Sequence, residues 1–173
     1  MLRSLTLAVS AIALAACATA PTGFAPGAPF DATTARTIAS HYDARVIRDK
    51  FGVPHIYGKR NADVAYGLAY AHAEDDWKTI EEVIRSSRGT LSEIVGEAGA
   101  KSDDMILALG NTDIVNRDYD TKTSPQSKAV VEGYAAGLNL WCAEHADTGC
   151  ARTMPITGRD IMAGFVNRPM SFY

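Results

Sequence analysis

The stretch from Asn61 to Gly89 constrains the fold most. It reads as one long helix: Asn61 caps its start, Asp63 meets the helix dipole in the first turn, Arg85 and Arg88 occupy the last turn, and Gly89 stops it. At 100° per residue, Glu74, Lys78, Glu81 and Arg85 fall on one strip. Glu74–Lys78 and Glu81–Arg85 are favourable i,i+4 pairs, so this strip reads as a solvated face. Asp75 falls instead on the line of Val64, Leu68 and Ala71, and reads as a buried structural carboxylate. The other flank carries Tyr66, Ala73, Trp77, Ile80 and Ile84. A helix that is apolar on two flanks needs cover on two sides, which demands a layered core.

The segments around this helix suggest what covers it. "ARVIRDKFGVPHIYG" reads as a β-hairpin, with Pro54 near a strand start or on an edge because it lacks a donor. Ser102 is expected to cap a helix reaching about Asp118. Ser124 followed by Pro125 is a strong helix start, and Val130, Tyr134, Leu138 and Trp141 recur at helical spacing after it. Gly133 and Gly137 on that helix admit close approach of another backbone. Thr157 with Asp160 resembles a capping pair for a last helix, "GRDIMAGFV". The closing run "RPMSFY", apolar and aromatic, reads as an interrupted chain and not as a finished tail.

The first residues read as an export signal. Arg3 precedes an apolar run, Leu5 to Ala16, too short to span a bilayer comfortably. The run ends in "LAAC", which resembles a lipobox with Cys17 as the lipidated first residue; the other reading is ordinary cleavage near Ala16–Ala20. Residues 1–16 are thus the expected signal, 17–36 an Ala/Pro/Gly-rich tether, and 37–173 the folded part. Ala18, not an aspartate, follows Cys17, which by analogy with lipoprotein sorting implies the outer membrane. In an oxidising compartment the remaining pair, Cys142 and Cys150, is expected as a disulfide, with two free thiols as the alternative.

The chemistry the chain can carry is limited. With 17 basic and 20 acidic residues there is no basic stripe and no case for nucleic acid as a partner. "GEAGAKS" fails as a phosphate loop, since Ala100 separates Gly99 from Lys101 and no apolar strand precedes it. No GxSxG, HExxH or CxxC occurs. In "HAEDD", His72 and Asp76 are i,i+4 and His72 and Asp75 are i,i+3, but a zinc site needs about three protein ligands and no second cluster offers the third. His55 is a lone strand histidine with no nucleophile near it in sequence. No catalytic residue is expected within this chain.

"VIRDKFGVPHIYG", "YGLAYAHAEDD", "RGTLSEIVG" and "EGYAAGLN" together resemble, in order and spacing, the N-terminal part of the penicillin acylase family, which are N-terminal nucleophile hydrolases. Arg48, Asp49, Pro54, His55, Asp75 and Gly89 stand at the family's structural motif positions. The resemblance implies an α+β fold: an αββα sandwich in the complete enzyme, with this part mainly helical behind an N-terminal β-hairpin. It also implies a precursor that cuts itself into α- and β-chains, the β-chain supplying the nucleophilic serine and the main oxyanion donors. This chain then corresponds to an incomplete α-chain portion, inactive alone, with the β-chain and a small-molecule amide as partners and a membrane reached through the lipid anchor. Phe165, Met170, Phe172 and Tyr173 stand about where relatives line the acyl pocket. No cofactor is implied in this chain; a calcium-ligating glutamate of some members lies further along. The competing reading is a non-catalytic, lipid-anchored periplasmic protein that keeps half of the fold.

Overall fold

A computed structural model describes residues 23–167. The elements run α1 (Ala32–Ala39), β1 (Ala44–Arg48), β2 (Pro54–Gly58), α2 (Asn61–Arg88), α3 (Ser92–Val95), α4 (Glu97–Leu109), α5 (Asn111–Lys122), α6 (Pro125–Glu144), two short 3₁₀ turns (Ala146–Thr148 and Cys150–Arg152) and α7 (Gly158–Asn167). The arrangement is α+β: helices stacked about α2 and α6, with one antiparallel hairpin laid on α2. In the hairpin Val46 pairs with Ile56, and Pro54, the first residue of β2, pairs with Arg48. The alternation is half-buried inward and exposed outward, as expected where one face lies on a helix.

α2 and α6 are the centre of the fold, and glycine sets their separation. A Cβ on Gly133 would lie 2.4 Å from the carbonyl oxygen of Ala62, and one on Gly137 would lie 2.2 Å from that of Tyr66. Beyond these contacts Leu138, Trp141, Ala69, Ala73, Ile84, Ile156 and Ile161 close the larger of two apolar clusters. Trp77 of α2 and Trp141 of α6 stack with ring centroids 5.2 Å apart. α6 begins as its sequence indicates, with Ser124 Oγ accepting from the Ser127 amide at 3.1 Å and Pro125 in the first turn. Cys142 and Cys150 are joined by a disulfide across the turn that follows α6.

Several expectations need correction. The segment 17–36 is not a bare tether over its described part. Asp31 accepts from the Thr34 amide at 2.6 Å and caps α1, whose Ala35 and Ile38 are buried on α6 together with Phe24. The fold is therefore already packed well before Thr37. The helix expected from Ser102 to Asp118 is two helices, because Gly110 takes a left-handed conformation (φ 64°) and turns the chain between α4 and α5. The start of α2 is capped around Arg60 and not by Asn61: the Arg60 amide donates to Asp63 Oδ2 at 3.0 Å, and the Arg60 guanidinium holds the Asp63 carboxyl down at about 2.

α2 also bends. Asp76 leaves helical geometry (φ −158°, ψ 70°), and its Oδ1 accepts from the Thr79 amide at 3.1 Å, so Asp76 ends one helical stretch and caps the next. The bend rotates the second half relative to the first, and the single strip from Glu74 to Arg85 does not survive. Glu74 stays at the surface, whereas Glu81 and Arg85 are buried at 3% and 8% exposure.

Candidate functional site

Two constellations concern function: the hairpin seated on the first half of α2, and the end of the molecule where α7 meets the second half of α2. The hairpin holds most of the motif positions. Asp49 Oδ1 accepts from the amides of Phe51 (2.8 Å) and Val53 (3.0 Å), closing the turn, and these bonds hold its carboxyl below the usual range. His55 Nε2 lies 3.5 Å from Asp49 Oδ2. Arg48 reaches from the hairpin to the helix, with Nη2 at 2.9 Å from Glu74 and 2.8 Å from Asp75 and Nη1 donating to the Gly52 carbonyl at 2.8 Å. Asp75 is thus an exposed partner of Arg48, contrary to the burial expected from its helical position: its carboxylate pairs with the guanidinium at the surface.

These residues surround a shallow, open concavity with Phe51, Val53 and Pro54 on its hairpin wall and Glu74 and Asp75 on its helix wall. Its lining has no hydroxyl or thiol, and its only cation is already shared between two carboxylates. Its geometry is that of a clamp between hairpin and helix. The rest of "HAEDD" disperses. His72 Nδ1 lies 2.9 Å from the Tyr134 hydroxyl, and Asp76 serves the helix bend. Among the described residues, no three His, Cys, Asp or Glu side chains gather in a way that could hold a metal.

The second constellation was not legible in the sequence. From the second half of α2, Glu81 accepts from Arg152 Nε at 2.8 Å, Arg152 Nη2 at 2.6 Å and the Thr153 hydroxyl at 2.6 Å. Hydrogen bonds from Arg152 keep the Glu81 carboxyl low despite its burial. Arg85 Nε donates to Thr153 Oγ1 at 3.0 Å, and its other nitrogens reach Glu93 and the Arg152 carbonyl. Arg88, just before Gly89, donates to both oxygens of Asp160 and to the carbonyls of Thr153 (2.6 Å) and Pro155 (2.8 Å). Burial pushes the Asp160 carboxyl up, but the Arg88 guanidinium and the Thr157 hydrogen bonds outweigh it and hold it low. Asp160 also accepts from the Thr157 amide at 2.7 Å and hydroxyl at 2.8 Å, the local capping the sequence indicated.

This network fixes the line on which α7 leaves the core. Phe165 and Val166, near the end of α7, are 59% and 41% exposed. Asn167 is buried and accepts from Asn111 Nδ2 at 3.0 Å, tying the helix end to α5. Of the residues expected at an acyl pocket, Phe165 therefore stands on an exposed edge of a rigidly held helix. Met170, Phe172 and Tyr173 lie outside the described residues, as does Cys17. The two signals that could have exposed the network were Arg88 before Gly89 and Asp160 after Thr157, each read as a local helix-end feature and not as one end of a long-range pair.

Residues 43–165 match the penicillin amidase family. Penicillin G acylase of Escherichia coli is 32% identical over 102 residues, which is 59% of this chain and 12% of that protein. Penicillin acylase 2 proenzyme of Pseudomonas sp. (strain SE83) is 31% identical over 102 residues, 59% of this chain and 13% of its own length. Acyl-homoserine lactone acylase PvdQ of Pseudomonas savastanoi pv. phaseolicola is 27% identical over 116 residues, 63% of this chain and 15% of its own length. The matched part of the chain thus spans only 12–15% of the length of these relatives. The solved structure of a thermostable penicillin G acylase from Alcaligenes faecalis shares the fold, with a TM-score of 0.63 at 23% identity over 75% of each chain. With the match running from the hairpin to α7 and the fold shared, the chain belongs to the penicillin amidase family.

Proposed function

We propose that this chain is the α-chain portion of an exported acylase that cleaves linear amide bonds of β-lactam or acyl-homoserine-lactone type substrates. The observation that carries this reading is the end of α7: a helix clamped by Arg88 and Asp160 that presents Phe165 and Val166 to the outside, at the place where the family resemblance locates the acyl pocket. Large apolar side chains exposed on a rigid element mark a surface meant to be covered. The β-chain of the same precursor covers it and supplies the chemistry. Its N-terminal serine attacks the amide with its own α-amino group as base, and its donors stabilise the oxyanion. Phe165, Met170, Phe172 and Tyr173 contribute an apolar wall for the acyl group.

In this reading the α-chain alone is inactive. Calcium, where it acts, belongs to the complete enzyme. The signal at residues 1–16 exports the precursor, and lipid on Cys17 anchors it to the outer membrane on the periplasmic side. Reading the gene beyond codon 173 tests the proposal. A long β-rich region that opens with a serine preceded by glycine supports it. An immediate stop codon overturns it in favour of a non-catalytic protein with half of the fold.

A further inference from the structure

α7 is held differently at its two ends. At its start, Arg88 of α2 grips Asp160. Arg159 reaches back to α5, with Nη1 donating to the Asn116 carbonyl at 2.6 Å and Nη2 to Asp120 Oδ2 at 2.5 Å. Its guanidinium also lies 4.7 Å from the Tyr119 ring centroid. These ties run to two different helices, so the start of α7 is fixed in place and in direction.

The other end depends on one side chain. In the last turn, residues 164–167, Phe165 and Val166 are exposed and Asn167 is the one buried side chain, at 7% exposure. Its Oδ1 accepts from Asn111 Nδ2 of α5 at 3.0 Å, while its own Nδ2 is buried without a partner among the described residues. The bond to Asn111 is therefore the single hydrogen bond of this buried amide there. Asn111 is itself set in place. It follows the left-handed Gly110 as the first residue of α5, and the hydroxyl of the next residue, Thr112, donates to the Ser87 carbonyl of α2 at 2.7 Å. The pin thus runs from the end of α2 through the start of α5 to the end of α7.

We infer that Asn111 is a positioning residue for acyl-chain selection: acting through Asn167, it sets where the end of α7 holds Phe165. Two residues on a helix are about 200° apart, so Asn167 pins the back of the helix whose front carries Phe165. A buried amide stripped of its last partner costs free energy until it reaches water. Without the Asn111 donor the last turn of α7 therefore swings outward about its fixed start, and Phe165 moves with it. The inference rests on the proposed reading of Phe165 as part of the acyl wall.

The test compares wild type, Asn111→Ala and Asn111→Asp as processed full-length proteins. It reads the specificity constants for a long and a short chromogenic acyl amide, and the Tm of each protein. Asn111→Ala removes the donor. Asn111→Asp keeps the size and places a negative charge at a helix start, where it is favourable. The Asn167 amide then turns over, and its unpartnered nitrogen donates to the new carboxylate, so the pin re-forms in the opposite sense. The expected result is a long-to-short ratio changed about 3- to 10-fold by Asn111→Ala and held within about 2-fold of wild type by Asn111→Asp. A lowered Tm with an unchanged ratio in Asn111→Ala gives the pair a structural role only and overturns the inference. An equal change of ratio in both variants overturns it too, because the pin is then not what sets the ratio. If Asn111→Ala does not process, Asn111→Ser takes its place with the same outcomes: serine suits a helix start, but its hydroxyl is shorter than the amide it replaces. Wild-type turnover separates the two claims. A full-length protein without turnover overturns the proposed function and this inference together, whereas turnover with an unchanged ratio overturns this inference alone.

Discussion

Arg88 of α2 grips Asp160 of α7 with two parallel hydrogen bonds, Nε to Oδ1 at 2.7 Å and Nη2 to Oδ2 at 2.9 Å. The fork geometry of the guanidinium matches the carboxylate, and the remaining donor of Arg88 reaches the Thr153 carbonyl. One arginine thereby sets the loop before α7 and the axis of α7 itself. Arg88→Ala leaves Asp160 a partly buried charge without its cation and should cost about 3 kcal/mol of stability in the processed enzyme, read from the shift in denaturant midpoint. Arg88→Lys should recover little of it, because an ammonium cannot make the fork. A change below ~0.5 kcal/mol for Arg88→Ala would show that the pair only decorates the surface.

Acid should loosen the same region. The Asp160 and Glu81 carboxyls are lower in the fold than in the unfolded chain, where they take their ordinary values of 3.8 and 4.5. The unfolded chain then binds more protons as the pH drops through this range. Their contribution is fully present above the ordinary values and is lost as the pH falls through the folded ones. Stability should decline below about pH 4.5, and Asp160→Asn should flatten that decline. An unchanged acid limb in Asp160→Asn would remove this pair from the account.

Gly133→Ala and Gly137→Ala each drive a methyl group into a backbone carbonyl of α2, at 2.4 and 2.2 Å. Neither carbonyl is a flexible side chain that can swing aside, so α2 and α6 must separate. A loss of about 1–3 kcal/mol is expected for each, measured by thermal unfolding. A neutral result for both would mean that the two helices are less tightly seated than these contacts require.

Reduction of Cys142–Cys150 should cost at most ~2–3 kcal/mol, because the bond closes a short loop. The loop leads directly to Arg152 and Thr153, which hold Glu81. The reduced protein should therefore be less stable but should keep its acyl-chain preference. A changed preference on reduction would place this loop nearer the substrate than α7 is.

The pocket assignment predicts a change in ranking. Phe165→Ala, Phe172→Ala and Tyr173→Ala in the full-length enzyme should alter the ratio of specificity constants for long and short acyl chains, since pocket contacts discriminate by roughly 1–3 kcal/mol per methylene. Residues that only pack the α–β interface would lower stability or precursor processing and leave the ratio unchanged. An unchanged ratio in all three variants takes them out of the pocket.

Local signals made much of the fold legible. The hairpin followed from two short apolar runs around "DKFG", α6 from Ser124 and Pro125, and the start of α7 from Thr157 and Asp160. What stayed hidden depended on residues far apart in the chain. Glu81 and Arg85 look solvated until Arg152, Thr153 and Glu93 are brought beside them. The bend at Asp76 has neither proline nor glycine to announce it. α1 was obscured by composition, because its Ala- and Thr-rich sequence buries little area by itself and is packed by distant residues of α6 together with Phe24. The family motifs were legible as a pattern before their roles were: Arg48, Asp49 and Asp75 turn out to be a hairpin clamp, and Arg88 a helix clamp.

The central claim is that this chain shapes an acylase whose nucleophile comes from the β-chain. It is tested most directly by turnover of a chromogenic acyl amide, measured in parallel for the chain of residues 18–173 and for the processed full-length protein. The account predicts no turnover above buffer for the chain alone, and turnover by the full-length protein that is lost when the N-terminal serine of its β-chain is replaced. Turnover by the chain alone, abolished by a single substitution between residues 44 and 173, would contradict it.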